Sequence, residues 1–148
     1  MKIRVYESPE IEETEVQIHC KKKDELVFEI EKTLTYFNKV ISGKIEGRNY
    51  TLIPSQIYYF DSIDNKVFAY TKDKVFEVNM KLYQLEDIFI DTPLIRINKS
   101  MILNVKKIKS FRTSINGRME ALLRNNEKVI ISRKYVPILK SKLGGKNV

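Results

Sequence analysis

The chain has 148 residues, 43% of them hydrophobic and 10% aromatic, with a formal net charge of +8 and a single cysteine. That length admits one ordinary domain, or a domain of about 100 residues with an extension, and excludes a large multidomain enzyme; the apolar content is enough to offset chain entropy and excludes a disordered chain. The charge is uneven, because residues 94–148 hold 14 Lys or Arg against two Asp or Glu while the two preceding thirds are each slightly acidic, and such a concentration attracts polyanions, nucleic acid first and an anionic membrane surface second.

No apolar run approaches the roughly 20 residues that span a bilayer, and the charged start Met1-Lys2-Ile3-Arg4 lacks the apolar core of a signal peptide. The lone Cys20 rules out an internal disulfide and fits a reducing compartment. The expectation is a cytoplasmic protein that is not integral to a membrane.

In chain order, Met1 to Tyr6 and Glu15 to Cys20 alternate enough to be strands, separated by the turn-forming Ser8-Pro9-Glu10. Asp24 then caps a helix to about Asn38, with Leu26, Val27, Ile30, Leu34 and Phe37 on one side, and Ser42-Gly43 closes this segment. Residues 1–43 therefore read as a small strand and helix extension, and residues 44–148 as a mainly β domain. Three hairpins follow: Lys44 to Glu46 turns at Gly47-Arg48-Asn49 into Tyr50 to Ile53, Ile57 to Ser62 turns at Asp64-Asn65 into Val67 to Tyr70, and Lys72-Asp73 turns into Val75 to Val78. Leu82, Leu85, Ile88 and Phe89 recur at helical spacing until Thr92-Pro93. Strands resume at Leu94 to Ile97, Met101 to Asn104, Ile108 to Arg112, Arg118 to Leu123 and Lys128 to Ile131, with a turn at Asn116-Gly117. A last helix lies within Lys134 to Leu143, with Pro137 near its first turn and Gly144 as its stop.

Catalysis finds little support. The only histidine, His19, adjoins Cys20, and neighbouring residues of a strand point to opposite faces, which makes a poor nucleophile and base pair. One His and one Cys fall short of a structural zinc site, and there is no glycine-rich phosphate loop or nucleophile elbow. No catalytic residue, metal site or cofactor is expected, and the protein reads as no enzyme.

Reading bases in the major groove needs forked donors such as Arg, with Lys, and amides such as Asn, on elements that fix their direction. Asn98-Lys99-Ser100 and Arg133-Lys134 supply those types beside short apolar strands, while Lys106, Lys107, Lys109, Arg112 and Arg118 suit phosphate contacts. The plainer reading makes Lys99 and Arg133 solvated charges at strand ends. Arg96 suits a structural or phosphate contact better than base reading. Neither a helix-turn-helix nor a Cys/His finger is visible. The residues alone thus lead to a basic, mostly β nucleic-acid binder working through loops, with an RNA binder or a protein–protein interaction module as alternatives.

The segments Ile57-Tyr58-Tyr59-Phe60-Asp61-Ser62, Val75-Phe76-Glu77-Val78 with Leu82 and Leu85-Glu86, Arg96 to Asn104, Ile108, and Ile131-Ser132-Arg133-Lys134-Tyr135 together resemble the LytTR-type DNA-binding domain of bacterial response regulators. They fall in order across about Lys44 to Leu143. The resemblance implies an elongated arrangement of three small antiparallel sheets with short helices. It further implies a transcriptional regulator whose loops enter successive major grooves of promoter DNA at paired repeats, as a homodimer at least on DNA. By the motif, base reading falls on Lys99, on Arg133, and on the turn Asn65-Lys66-Val67, where either Lys66 or Val67 takes the contact. Residues 1–43 are too few for a receiver of about 120 residues, so the chain resembles the stand-alone class of the family. That leaves its own level, dimerisation or an inhibitory protein partner as ways of setting its activity.

Overall fold

A computed structural model describes residues 1–144. The first 24 residues form no strand. The expected strands at Met1 to Tyr6 and Glu15 to Cys20 are absent because their alternation meets no partner: Met1, Ile3 and Val5 are all about four-fifths exposed, and a strand without a neighbour has no ladder to hold it. Helix α1, Glu25–Asn38, begins as expected, with Asp24 accepting a hydrogen bond from the Val27 amide at 3.1 Å. Its buried stripe differs from the one read in the sequence. Val27 is buried and Ile30 and Leu34 half-buried, but Leu26 and Phe37 stay exposed and Tyr36 is buried instead. The helix rests on the body along a narrow line, against the 3-10 turn Pro54–Gln56, and Tyr36 is where it enters the core.

Two antiparallel sheets carry the fold. Strands β1 (Ile41–Ile45), β2 (Arg48–Leu52), β3 (Tyr59–Ile63), β4 (Lys66–Tyr70), β5 (Val75–Val78), β6 (Leu94–Arg96) and β7 (Met101–Asn104) form one sheet, in the order β2-β1-β5-β4-β3-β7-β6. Strands β8 (Ile108–Thr113), β9 (Met119–Leu123) and β10 (Lys128–Ile131) form the other, in the order β10-β9-β8. The mainly β class and the hairpin succession hold, but two sheets replace the expected three, because the bridge Lys44↔Glu77 joins β1 to β5. Ser42-Gly43, read as the end of the first segment, lies inside β1. Gly43 is at home there, since a Cβ would meet Leu52 and Phe76 carbons at 2.7 Å. The first turn is at Glu46 and Gly47, both with positive φ, so Arg48 and Asn49 belong to β2.

Two-residue periodicity sends the central strands' side chains into two cores. In β3, β7 and β6, Phe60, Ile102 and Leu94 face the first core, under helix α2 (Leu82–Ile88); Tyr59, Leu103 and Ile95 face the second, against β9, β10 and helix α3 (Val136–Lys142). These three strands are therefore covered on both faces. Phe60 stacks on Phe89 with ring centroids 6.1 Å apart, and burying such a side chain contributes about 1.5–3 kcal/mol. The Tyr59 hydroxyl donates to Glu127 at 2.6 Å, bracing β3 against the turn before β10. Burial and then this bond push the Tyr59 pKa up. Asn104, buried at the end of β7, donates from Nδ2 to the Ile57 carbonyl at 2.9 Å.

Candidate nucleic-acid interface

Antiparallel register decides which loops share an end of the first sheet. The β3–β4 turn, where Asp64 and Asn65 have positive φ, and the loop Ile97–Ser100 between β6 and β7 fall at one end, because Asp61 pairs with both Phe68 and Met101. The Ser62 amide donates to the Ser100 carbonyl at 2.8 Å, tying the two together. The segment after β10 joins them from the second sheet: the Ser132 amide donates to the Ile97 carbonyl at 2.9 Å and Asn98 Nδ2 to the Ile130 carbonyl at 3.1 Å. Three stretches far apart in sequence thus form one row.

Within the row, side chains that look alike in the sequence have different duties. Arg96 is held from both sides. Its Nη1 meets Glu86 of α2 at 2.9 Å, its Nε donates to the Asn98 carbonyl at 2.7 Å, and its other terminal nitrogen donates to the Lys99 carbonyl. The guanidinium therefore clamps the loop. Asn98 is also engaged, since its Oδ1 accepts from the Ser100 amide at 2.9 Å and from the Ser100 hydroxyl at 3.2 Å while its Nδ2 holds Ile130. Lys99 is exposed on the loop they brace. Among the described residues, Lys99, Arg118, Arg133 and Lys134 have no carboxylate within salt-bridge distance.

At the β3–β4 turn, Val67 is 2% exposed and belongs to the first core, which leaves Lys66 as the side chain that reaches solvent. Its ammonium lies 3.9 Å from Glu77, and the Asn65 carbonyl accepts from Lys81 at 3.2 Å. Arg133 and Lys134 lie in a 3-10 turn, Arg133–Tyr135, that leads into α3. Lys134 sits over the Tyr135 ring at 5.4 Å.

The cations expected at phosphates divide. Lys106 and Lys107 lie in the 3-10 turn Val105–Lys107, beyond the opposite end of β7 from the row, and Lys107 sits over the Tyr58 ring at 5.1 Å. Strand β8 runs back from there, through the exposed Lys109, to Arg112, which pairs with Glu120 at 3.2 Å. Its hairpin turn returns to the row: Arg133 Nε donates to the Asn116 carbonyl at 3.0 Å. The sequence marked Asn116-Gly117 as a turn and Arg118 as a phosphate contact, but the turn's place beside Arg133 was not readable, because it depends on how the second sheet packs.

The LytTr DNA-binding domain family matches residues 47–144, and the chain belongs to that family. It is 30% identical over 99 residues to the sensory transduction protein LytT of Enterococcus faecalis, an alignment that takes in 67% of this chain but 41% of that protein. A protein of Staphylococcus aureus (strain MSSA476), named an uncharacterized HTH-type transcriptional regulator, is 26% identical over 145 residues and matches 97% of this chain and 98% of its own length. Among solved structures, a LytTr DNA-binding domain from Bacillus cereus superposes with a TM-score of 0.66 at 22% identity, covering 71% of this chain and 96% of that one. The fold is thus a LytTr fold. Among the described residues, strands separate the helices, no helix is long and apolar enough to cross a membrane, and no group of three or more His, Cys, Asp or Glu could hold a metal ion.

Proposed function

We propose that the chain is a cytoplasmic transcriptional regulator that reads duplex DNA with the row of loops at the end of its larger sheet, without a catalytic step. The observation that carries this reading is the hydrogen-bonded row itself. It presents Lys99 and Arg133, without acidic partners among the described residues, on backbone fixed by Arg96, Asn98 and Ser132. Lys99 and Arg133 read base edges in successive major grooves of paired promoter repeats. Asn65, Lys66, Ser100 and Lys134 complete the contact, and Asn98 supports it from within. Arg112 and Arg118, flanking the hairpin turn beside Arg133, take phosphates; Lys109 extends that track. Lys106 and Lys107, beyond the opposite end of β7 from the row, take phosphates outside it. The residues before β1 act as an extension to the domain, since the boundary expected at 43/44 falls inside β1.

Selection of bound duplexes from a random pool, followed by a salt titration of the preferred site, tests this. Lys99→Ala and Arg133→Ala are each expected to cost about 1–3 kcal/mol on the selected duplex and to relax specificity. Arg118→Ala is expected to weaken selected and random duplexes alike and flatten the salt slope. Equal losses on both duplexes for Lys99→Ala and Arg133→Ala would reduce those residues to phosphate contacts. Competition by RNA of matching sequence separates the RNA-binding alternative.

A second reading, favoured by one observation, adds to the first. Of the 21 exposed large hydrophobic residues among the described residues, 11 fall within residues 1–40, a concentration that marks contact surfaces. We propose that this segment meets a second copy in a homodimer or an inhibitory protein partner. Dimerisation would turn two modest half-site contacts into one strong one. Sedimentation of the full chain with and without DNA distinguishes these cases.

A further inference from the structure

Arg133 does not project from the row as a free side chain; a second element grips it. The hairpin turn Ser114–Gly117 between β8 and β9 closes with the Ser114 amide donating to the Arg118 carbonyl at 2.8 Å and the Gly117 amide to the Ser114 carbonyl at 3.3 Å. The Asn116 carbonyl then accepts from Arg133 Nε at 3.0 Å. Gly117, at φ 74°, lets the arginine stem lie flat on the turn: a Cβ there would stand 3.2 Å from Nε, 3.4 Å from Cγ and 3.5 Å from Cδ of Arg133. An arginine reads guanine through two parallel N–H bonds, and with Nε engaged the pair left over is the two terminal nitrogens, in a plane set by the first bond.

We propose that the Asn116-Gly117 turn positions the Arg133 guanidinium for base reading. Gly117 is then a specificity-determining residue through its lack of a side chain, although it touches no base itself. The inference rests on the reading of Arg133 as a base contact. It explains why the second sheet sends a hairpin back to the row, and it assigns to an Asn-Gly pair a role beyond turning the chain. It also predicts that lysine cannot replace the arginine, because lysine has a methylene where Nε donates to the Asn116 carbonyl and no planar fork beyond it.

The molecule supplies its own control. Gly47 has a similar positive φ, 78°, with nothing within 4 Å of a Cβ, so Gly47→Ala and Gly117→Ala both place an alanine at positive φ and differ in the contact with Arg133. Asparagine tolerates positive φ better than alanine, so Gly117→Asn keeps the intruding Cβ with less risk to folding. Affinities of the full chain for a selected and a random duplex are measured for Gly47→Ala, Gly117→Ala, Gly117→Asn, Arg133→Ala, Arg133→Lys and Gly117→Asn with Arg133→Ala. Both Gly117 variants are expected to lower selected-over-random preference by about fivefold or more relative to Gly47→Ala, and Arg133→Lys to resemble Arg133→Ala. In the double variant, the effect of Gly117→Asn is expected to vanish. If Arg133→Ala lowers the preference but both Gly117 variants match Gly47→Ala, or if the loss persists without Arg133, the positioning role is overturned while base reading stands. If Arg133→Ala leaves the preference intact, the reading of Arg133 fails, and the proposal with it.

Discussion

The row of loops and the first 24 residues are both surface chain, yet they are held in opposite ways. In the row, each loop is fixed by another that is distant in sequence: Ser62 by Ser100, Asn98 by Ile130, Ser132 by Ile97, Arg133 by Asn116. Over residues 1–22 the hydrogen bonds are local, within Ser8 to Ile11 and between Glu15 and Gln17, and apolar side chains such as Ile3 and Val5 face solvent. The row shows how a polar surface is made stiff. Its backbone groups are satisfied by neighbours that are themselves anchored on buried strands, so the direction of an exposed cation is set by packing beneath it.

Breaking that difference gives a graded series. The largest effect is expected at the anchor beneath. Asn104→Ala removes the donor to the buried Ile57 carbonyl and should cost about 2–3 kcal/mol in urea unfolding; a loss below about 0.5 kcal/mol would mean that β7 is not held there. Next comes the clamp. Arg96→Ala deletes the contacts to Glu86 and to the Asn98 and Lys99 carbonyls, with an expected stability loss of about 1–2 kcal/mol. Affinity for a selected duplex should fall as well although Lys99 is intact, and Arg96→Lys should not restore it. Unchanged affinity would show that the loop keeps its shape unaided.

Tyr36 sharpens the comparison from the side of α1. Its hydroxyl is buried without a partner among the described residues, and burial pushes its pKa up to about 12. Tyr36→Phe should therefore leave stability unchanged or raise it by up to about 1 kcal/mol near neutral pH. The folded state raises the tyrosine pKa above its ordinary value of 10.0 at Tyr36 and Tyr59. Their contribution is then fully present below pH 10 and is lost as pH rises through the folded values. Tyr36→Phe should reduce that alkaline loss in unfolding curves taken above pH 10, and an unchanged loss would assign it to Tyr59 and Tyr70. The smallest effect belongs to the first residues: Ile3→Ser should shift stability by less than about 0.5 kcal/mol, and a larger shift that grows with protein concentration would show that a second copy covers that surface.

Much of this is legible in the sequence, for local reasons. Asp24 capped its helix because an aspartate beside a helical pattern needs no tertiary help. Asp64-Asn65 turned its hairpin because both residues tolerate positive φ. The family resemblance rested instead on whole segments, Arg96 to Asn104 and Ile131 to Tyr135 among them. Patterns that needed a partner failed: Met1 to Tyr6 alternates like a strand, but alternation states only a preference for two faces and does not provide the neighbouring strand. The stripe on α1 erred in the same way, placing Phe37 inside and leaving Tyr36 out.

The sequence by itself determined the mainly β class, the order of the hairpins, the excess of cations in the last third and the candidates Lys99 and Arg133, since each follows from residue type and short-range spacing. Only the tertiary structure decided which cations stand free. Arg96 and Lys99 are three residues apart in one basic stretch, yet the carboxylate of Glu86 and the carbonyls of the loop take up the first while the second is carried outward on the fold they make. Hydrogen-bond geometry across elements separates a clamp from a candidate reader, and no property of the residue alone contains it.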